Sequence, residues 1–312
     1  MWAIFPAVLM GWALGANDAA NVFGLAVGVR AVKYWIAVLL TAAFALLGSY
    51  LGGAQGMATY SSVAGQSIGT SFCVALAAGL TVAFMTWRGL PVSTTQAAVG
   101  AIIGVALTSG RAVDWGVLGK VVISWVASPI GAMALAYLVH RFLSPLLEKR
   151  LGGLIMYDRL LRWGIVAIGI WGAYALGANN VANVTGVYVG AGLLTVPAAT
   201  LVGGGSIALG VITFSRRVME TVGEKLVPLG PLPALVAVAA QAASLQVFAV
   251  LGVPVSASQA VVGAVLGIGL VKGVKTVNAR QLAMIGLGWV ATPTTAGLVS
   301  AALWLALGGL LP

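Results

Sequence analysis

The stretch Gly15-Ala16-Asn17-Asp18-Ala19-Ala20-Asn21-Val22-Phe23-Gly24 decides the fold of this 312-residue chain. It lies within an apolar run from Trp2 to Val29, and a helix of about 20 apolar residues is long enough to cross a bilayer. A carboxylate at membrane depth costs roughly 3 kcal/mol or more, so it is retained where partners or a function support it. Asp18 is the one acidic residue of the chain within an apolar segment, because the others lie in polar connections. We therefore interpret this stretch as part of a functional site inside the membrane.

The same stretch recurs in the second half of the chain. Gly177-Ala178-Asn179-Asn180-Val181-Ala182-Asn183-Val184-Thr185-Gly186 is identical to it at seven of ten positions, at an offset of 162. Residues 89–107 align with 252–270 at eleven of nineteen positions, at an offset of 163. Trp125-Val-Ala-Ser-Pro129 aligns with Trp289-Val-Ala-Thr-Pro293. Three blocks in the same order at a nearly constant offset indicate an internal duplication.

Composition excludes a soluble domain. Hydrophobic residues make up 61% of the chain and charged residues 7%, and the apolar runs extend over its whole length. The sequence predicts an all-α polytopic membrane protein with five crossings in each half, at roughly 2–29, 34–53, 61–86, 89–109, 115–139, 163–190, 196–214, 231–250, 252–271 and 281–310. The net charge of +10 does not indicate nucleic-acid binding, because the basic residues cluster in the loops between crossings.

An odd number of crossings in each half predicts two inverted-topology repeats. We expect repeat 1 at residues 1–139, a basic cytoplasmic connection at 140–162 and repeat 2 at 163–312. If the N-terminus lies outside, fourteen Lys and Arg residues fall in cytoplasmic connections and only Arg111 and Lys120 fall outside. This asymmetry satisfies the positive-inside rule. Both termini of the chain are therefore predicted to lie outside a cell membrane.

The Asn motifs carry side chains that suit a cation. Inverted repeats with helices interrupted at corresponding positions are typical of secondary transporters, and we expect an interruption at both motifs. Carboxylate and amide oxygens are hard ligands that suit Na⁺. The predicted cation-coupling residues are Asn17, Asp18, Asn179 and Asn180. If the coupling ion is Na⁺, Asp18 and Asn17 are its predicted metal ligands.

Two Pro-Ser/Thr segments, at 91–96 and 254–259, are predicted to form hairpins at the membrane midplane. Proline suits the first turn of a helix, and the hydroxyl groups that follow it lie among free N–H groups, so the segment offers several neutral donors to an oxyanion. Ala257 lacks the hydroxyl of Thr94, so the two halves are not equivalent. For Gln96 and Gln259, capping or cross-linking of helices is an equal alternative. The predicted substrate-binding residues are Ser93, Thr94, Thr95, Gln96, Ser256, Ser258, Gln259, Asn21 and Asn183.

At these residues the chain resembles the inorganic phosphate transporter (PiT) family. The hallmark of that family is a duplicated Gly-Ala-Asn-Asp-x-x-Asn-x-x-Gly motif, which is matched at 15–24 and nearly matched at 177–186. The resemblance implies cation-coupled uptake of phosphate, an inverted-repeat helical fold and a homodimer. It also implies that hydroxyl groups and helix N-termini hold the anion while Asp and Asn hold the coupling ions. The chain departs from the family at Asn180, which replaces the second Asp, and at Gln96 and Gln259, where His is common.

The expected function is import of inorganic phosphate by Na⁺ or H⁺ symport, through alternating access. Sulfate is the alternative substrate, because the family includes sulfate permeases. An anion channel is a rival of a different class, against which the duplication and Asp18 argue. An intramembrane enzyme is not expected, because Asp18 has no His, Cys or second carboxylate as a plausible partner. We expect no cofactor besides the coupling cation, and no partners other than phosphate or sulfate, the lipid bilayer and a second copy of the chain.

Overall fold

A computed structural model of the chain describes residues 2–146, 154–225, 229–272 and 279–311. These residues form helices joined by short turns, with one isolated β-bridge between Ala64 and Val113. The α-helices are α1 (Phe5–Gly28), α2 (Tyr34–Gly52), α3 (Ala54–Val63), α4 (Ile68–Trp87), α5 (Thr94–Ser109), α6 (Trp115–Leu138), α7 (Leu154–Gly190), α8 (Val196–Phe214), α9 (Arg216–Lys225), α10 (Pro231–Val250), α11 (Ala257–Lys272) and α12 (Ala279–Leu307). Short 3₁₀ turns lie at Trp2–Ile4 and Gly308–Leu310, and α6 continues through a π-helical turn at Val139–Leu143.

Seven helices in the described part of the chain are long and apolar enough to span a membrane, namely α2, α4, α6, α7, α8, α10 and α12. The chain is therefore an all-helical, multi-pass membrane protein. Helix α1 has 24 residues, but its middle carries the polar motif. Helices α5 and α11 have 16 residues each, so each is roughly 24 Å long and falls short of the hydrocarbon thickness.

Helices α1 and α7 lie at the centre, and each packs mainly against helices of the other half. Helix α1 packs against α8 and α9, while α7 packs against α2 and α3. A Cβ atom on Gly15 would overlap the carbonyl group of Ile207 in α8, and one on Gly177 would overlap that of Ala45 in α2. The first glycine of each motif therefore lets two helices cross in backbone contact.

The remaining packing follows the same order in both halves. Helix α5 packs against α12, and its duplicate α11 packs against α6. Helix α4 lies beside α5, and α10 lies beside α11. Each pairing has a counterpart in which both helices are replaced by their duplicates in the other half. The duplication in sequence is thus accompanied by a repeated pattern of helix contacts.

The expected interruption of the helices at the Asn motifs is wrong. Helix α1 is continuous through Asn17 and Asn21, and α7 is continuous through Asn179 and Asn183. The motif side chains find hydrogen-bond partners on neighbouring segments, so the helical backbone does not have to unwind to supply polar groups. The chain breaks instead at 88–93 and 251–256, just before α5 and α11. Gly89 and Gly252 end the preceding helices in the left-handed conformation, with φ of +71° and +69°, and the proline two residues later disfavours helical conformation in the residue before it.

Three predicted connections contain helix. The predicted loop at 54–60 lies in α3, and the predicted connection near 215–230 contains α9. The predicted connection at 140–162 is helical at both ends, since the α6 segment continues to Leu146 and α7 begins at Leu154. The repeat boundaries at 139 and 163 therefore do not coincide with helix ends, and residues 147–153 lie outside the described part.

Candidate functional site

The polar residues of both motifs form one buried cluster at the centre of the molecule. The exposed fraction of every predicted site residue is 5% or less. The cluster joins the middle of α1 and the C-terminal third of α7 to the N-terminal ends of α5 and α11. The sequence predicted this set of residues. Hydrogen bonds from Asn180 to Asp18, from Asn183 to Thr95 and from Thr95 to Val255 cross between the two halves.

Asp18 lies at the junction of the two halves. Its Oδ2 atom accepts hydrogen bonds from Thr94 Oγ1 at 2.7 Å and from Asn180 Nδ2 at 3.0 Å. Its Oδ1 atom accepts from Asn21 Nδ2 at 3.1 Å. Three neutral donors therefore surround the only carboxylate of the cluster, and one of them comes from the position that duplicates Asp18.

Asn17 fixes the extended segment before α5. Its Nδ2 donates to Thr86 Oγ1 at 2.9 Å and to the Leu90 carbonyl at 3.0 Å. Its Oδ1 accepts from the Val92 amide at 3.1 Å. These three bonds use both ends of the side-chain amide, so in this structure Asn17 holds backbone in place.

Asn179 has the matching role in the second half. Its Oδ1 accepts from the Val255 amide at 3.2 Å, and its Nδ2 donates to the Val255 carbonyl at 2.8 Å and to Asn180 Oδ1 at 2.6 Å. The first Asn of each motif therefore positions an extended segment that ends in a helix-capping serine, Ser93 before α5 and Ser256 before α11.

Helices α5 and α11 begin with capped N-termini inside the cluster. Ser93 Oγ accepts from the Gln96 amide at 3.2 Å, and Ser256 Oγ accepts from the Gln259 amide at 3.2 Å. This capping leaves the Ser93 proton available to another acceptor. Ser256 and Ser258 share a hydrogen bond of 3.0 Å in which one of them donates, so one of their two protons is left for another acceptor. A helix N-terminus with free hydroxyl protons suits an anion, because the helix dipole and the remaining N–H groups act together.

Thr95 ties the two halves together at the level of these N-termini. Its Oγ1 donates to the Val255 carbonyl at 2.9 Å and accepts from Asn183 Nδ2 at 3.1 Å. The hydroxyl proton of Thr95 is therefore already used, as is that of Thr94, which points to Asp18. Among the predicted anion-binding hydroxyls, only the three serines keep protons that are not committed to a carbonyl or carboxylate.

Oxygen atoms without partners line the cluster. Four side-chain amide oxygens are buried and accept no hydrogen bond, those of Asn21, Asn183, Gln96 and Gln259. A buried acceptor without a donor costs about 1–3 kcal/mol. The site thus presents one carboxylate and an excess of oxygen acceptors, which is chemistry that suits a cation. The described residues contain no cluster of three or more His, Cys, Asp or Glu.

Two side chains at the cluster were not found by sequence reasoning. Thr86, near the end of α4, accepts the hydrogen bond from Asn17 and donates to the Val82 carbonyl at 2.7 Å. Tyr60 of α3 lies beside Thr95. Neither residue belongs to a repeated block, and a single Thr or Tyr in an apolar segment carries no signal of its own.

Comparison with known proteins agrees with this architecture. Residues 14–300 match the model of a family described as the phosphate transporter family. The chain belongs to the phosphate transporter family. It is a transporter and not an enzyme, as the resemblance in the sequence indicated.

Relatives of this phosphate transporter family member cover nearly its whole length. A protein of Thermococcus kodakarensis named "Putative phosphate permease" is 30% identical over an alignment of 382 positions, which covers 95% of this chain and 94% of the relative. The sulfate permease CysP of Bacillus subtilis is 30% identical over 298 positions, covering 93% of this chain and 83% of the relative. A solved structure titled as the sodium-dependent phosphate transporter superposes with a TM-score of 0.87 at 25% identity, covering 99% of this chain and 98% of that one.

Proposed function

We propose that this chain imports inorganic phosphate together with a coupling cation, by alternating access. The observation that carries the proposal is Asp18, a buried carboxylate that accepts hydrogen bonds from both halves of the chain. It sits between unpartnered amide oxygens and the N-termini of two short helices. Cation-binding and anion-binding chemistry therefore lie side by side, which is the arrangement that coupled transport requires.

The anion is proposed to bind between the N-termini of α5 and α11. Ser93, Ser256 and Ser258 supply hydroxyl protons there, and Gln96 and Gln259 supply amide groups. Neutral donors suit transport better than Lys or Arg, because a fixed positive charge would hold a multiply charged anion too tightly for release. The oxyanion is proposed to contact these groups on one side and the coupling cation on the other.

The cation is proposed to bind at Asp18 together with unpartnered oxygens such as those of Asn21 and Asn183. Asn17, Asn179 and Asn180 are the other predicted cation-coupling residues, but Asn17 and Asn179 bind backbone groups and Asn180 donates to Asp18. Sodium is the first choice because a structural neighbour is titled sodium-dependent. A proton carried by Asp18 is the alternative coupling ion.

Energetics make coupling necessary. A divalent anion that enters a cell against a negative potential of 100 mV climbs roughly 2.3 kcal/mol per charge. Two cations cancel this cost, and a third lets the membrane potential drive uptake. Because the site holds one carboxylate and transport requires two or more cations, neutral oxygen ligands have to bind the remaining cations.

The contacts of α3 and α9, which occupy corresponding positions in the two halves, support alternating access through inverted repeats. Thr59 of α3 donates to the Gly252 carbonyl at 2.6 Å, in the turn before α11. Arg217 of α9 donates to the Trp87 carbonyl at 2.7 Å, at the turn before α5. Helices α3 and α9 thus each bind the turn that precedes a short helix of the other half, and we propose that these two contacts open alternately. In this proposal α9 lies on the cytoplasmic side and both termini lie outside the plasma membrane. The chain is proposed to form a homodimer.

Sulfate is the second candidate substrate. The sulfate permease CysP is a relative of similar identity, and Asn180 stands where the family has a second carboxylate. A carboxylate accepts the proton of hydrogen phosphate, whereas sulfate has no proton to donate. The loss of one carboxylate therefore favours sulfate more than it favours phosphate.

Uptake into proteoliposomes tests these proposals. Purified protein is reconstituted, and labelled phosphate or sulfate is supplied under an inward Na⁺ gradient, an inward H⁺ gradient or neither. Accumulation of phosphate above equilibrium that requires one of the gradients is the expected result. Accumulation of sulfate alone would favour the second candidate, and movement of either anion only down its own gradient would indicate a channel.

A further inference from the structure

Tyr60 places a phenol group against the binding cluster from outside the two motifs. It lies in α3, where its Cβ packs against Gly186 at the end of the second motif. Its exposed fraction is 1%, and its side chain lies beside Thr95. The Tyr60 hydroxyl forms no hydrogen bond that meets normal geometry.

Packing alone does not explain a tyrosine at this position. Phenylalanine would fill the same volume without burying a polar group, and a buried hydroxyl without a partner is unfavourable. The neighbouring Thr95 hydroxyl already donates to the Val255 carbonyl and accepts from Asn183. The Tyr60 hydroxyl therefore lies beside Thr95, whose own proton is committed to Val255, without forming a hydrogen bond of normal geometry to it.

The oxygen of Asn183 is also buried and unpartnered next to Thr95. The Tyr60 hydroxyl and the Asn183 oxygen flank the same threonine, and neither forms a hydrogen bond of normal geometry. A ligand with oxygen acceptors, held close to a cation, would satisfy both atoms at once. The same pair of atoms is left unsatisfied when the site holds no such ligand.

We propose that the Tyr60 hydroxyl donates a hydrogen bond to the transported oxyanion, as an anion-binding residue outside the duplicated motifs. The proposal rests on the proposed function, because it assigns Tyr60 to the same anion site. It makes that site asymmetric, since the position that duplicates Tyr60 at the offset of 162 is Val222. It also joins anion binding to α3, whose Thr59 holds the turn at Gly252.

The chain contains a matched control for this proposal. Tyr188 is likewise fully buried, with a hydroxyl that forms no hydrogen bond of normal geometry. Its hydroxyl lies near Ala7 of α1 and Cys73 of α4. Tyr60→Phe and Tyr188→Phe therefore each remove one buried, unpartnered hydroxyl, but only the first removes it from the proposed anion site.

The test compares both variants with the wild-type protein in proteoliposomes. With saturating Na⁺ or H⁺ on the outside, the KM for labelled phosphate, or for sulfate if that is the accumulated anion, is expected to rise about tenfold in Tyr60→Phe. The KM of Tyr188→Phe is expected to stay within about twofold of wild type. Thermal melting of the purified variants checks that both are folded.

Two results would overturn the assignment of Tyr60. These are an unchanged anion KM in Tyr60→Phe and an equal rise in both variants. An unchanged anion KM with a shift in the half-saturating cation concentration would place the hydroxyl on the cation. If wild-type protein accumulates neither anion, the proposed function itself fails, and that outcome is separate from any difference between the variants.

Discussion

Asp18→Asn tests whether Asp18 carries the charge that a coupling cation neutralises. In the structure both carboxylate oxygens of Asp18 accept hydrogen bonds, from Thr94, Asn180 and Asn21. Asparagine has one oxygen and one NH₂ group, so at least one of these donors would face another donor. The variant therefore loses the negative charge and at least one hydrogen bond to a charged group, which is worth about 1.5–3 kcal/mol.

The size of the effect on transport follows from electrostatics. If Asp18 binds one cation per cycle, its loss lowers the charge moved per anion by one. At 100 mV one charge is worth roughly 2.3 kcal/mol, which corresponds to about a 50-fold change in the accumulation ratio. This ratio is a thermodynamic limit, so a merely slower variant would still reach the wild-type value.

The assay uses proteoliposomes with equal Na⁺ and pH on both sides and an interior-negative K⁺ diffusion potential of about 100 mV. The final ratio of internal to external labelled anion is measured for wild type, Asp18→Asn and Asp114→Asn. Asp114 caps α6 by accepting from the Gly116 and Val117 amides, and asparagine caps a helix equally well, so this control is expected to match wild type. An accumulation ratio in Asp18→Asn equal to that of wild type would show that the coupling site lies elsewhere.

Three further predictions concern the same framework. Asn17→Ala removes the hydrogen-bond partner of the buried Val92 amide and of the Leu90 carbonyl, so it is expected to cost roughly 2–6 kcal/mol of stability and to lower the melting temperature. An unchanged melting temperature would contradict the role of Asn17 in holding the segment before α5. Ser93→Gly removes the hydroxyl while costing only a few tenths of a kcal/mol as a cap, so the anion KM should rise about tenfold with little change in melting, and an unchanged KM would restrict Ser93 to capping. Cysteine at exposed position Ala54 should react with an impermeant maleimide added outside, whereas cysteine at Arg159 should not, and the reverse pattern would refute the predicted orientation.

Composition and repetition were sufficient to predict an all-helical membrane protein with a polar site at its centre. They were not sufficient to predict where the helices break. The Asn motif resembles a weak point in an apolar helix, but a polar side chain that finds partners on a neighbouring segment leaves its own backbone intact. The pairs Gly89 with Pro91 and Gly252 with Pro254 were the better signal, because glycine allows the left-handed turn that ends a helix and proline restricts the backbone directly.

The individual roles of the site residues depend on geometry that the sequence does not contain. A side-chain amide offers two donors and an acceptor, so the sequence alone is equally consistent with Asn17 binding a cation, an anion or a backbone carbonyl. Its contacts with Leu90 and Val92 show that it binds backbone groups. Tyr60 was missed for a related reason, because α3 falls in a stretch that reads as a loop.

The hydrogen bond from Asn180 to Asp18 bears on why the two halves of this chain are joined in one polypeptide. Two separate copies of a half-length chain would carry the same residue at both positions. Two aspartates at 3.0 Å would repel unless a cation or proton lay between them, and two asparagines would provide no charge to neutralise. In the fused chain one half supplies the acid and the other half supplies its neutral donor. Because Asn180 belongs to the same polypeptide as Asp18, this donor cannot diffuse away from the acid as a bound cation can. Exchange of the two residues, Asp18→Asn with Asn180→Asp, would keep this pairing and move the acid to the other half.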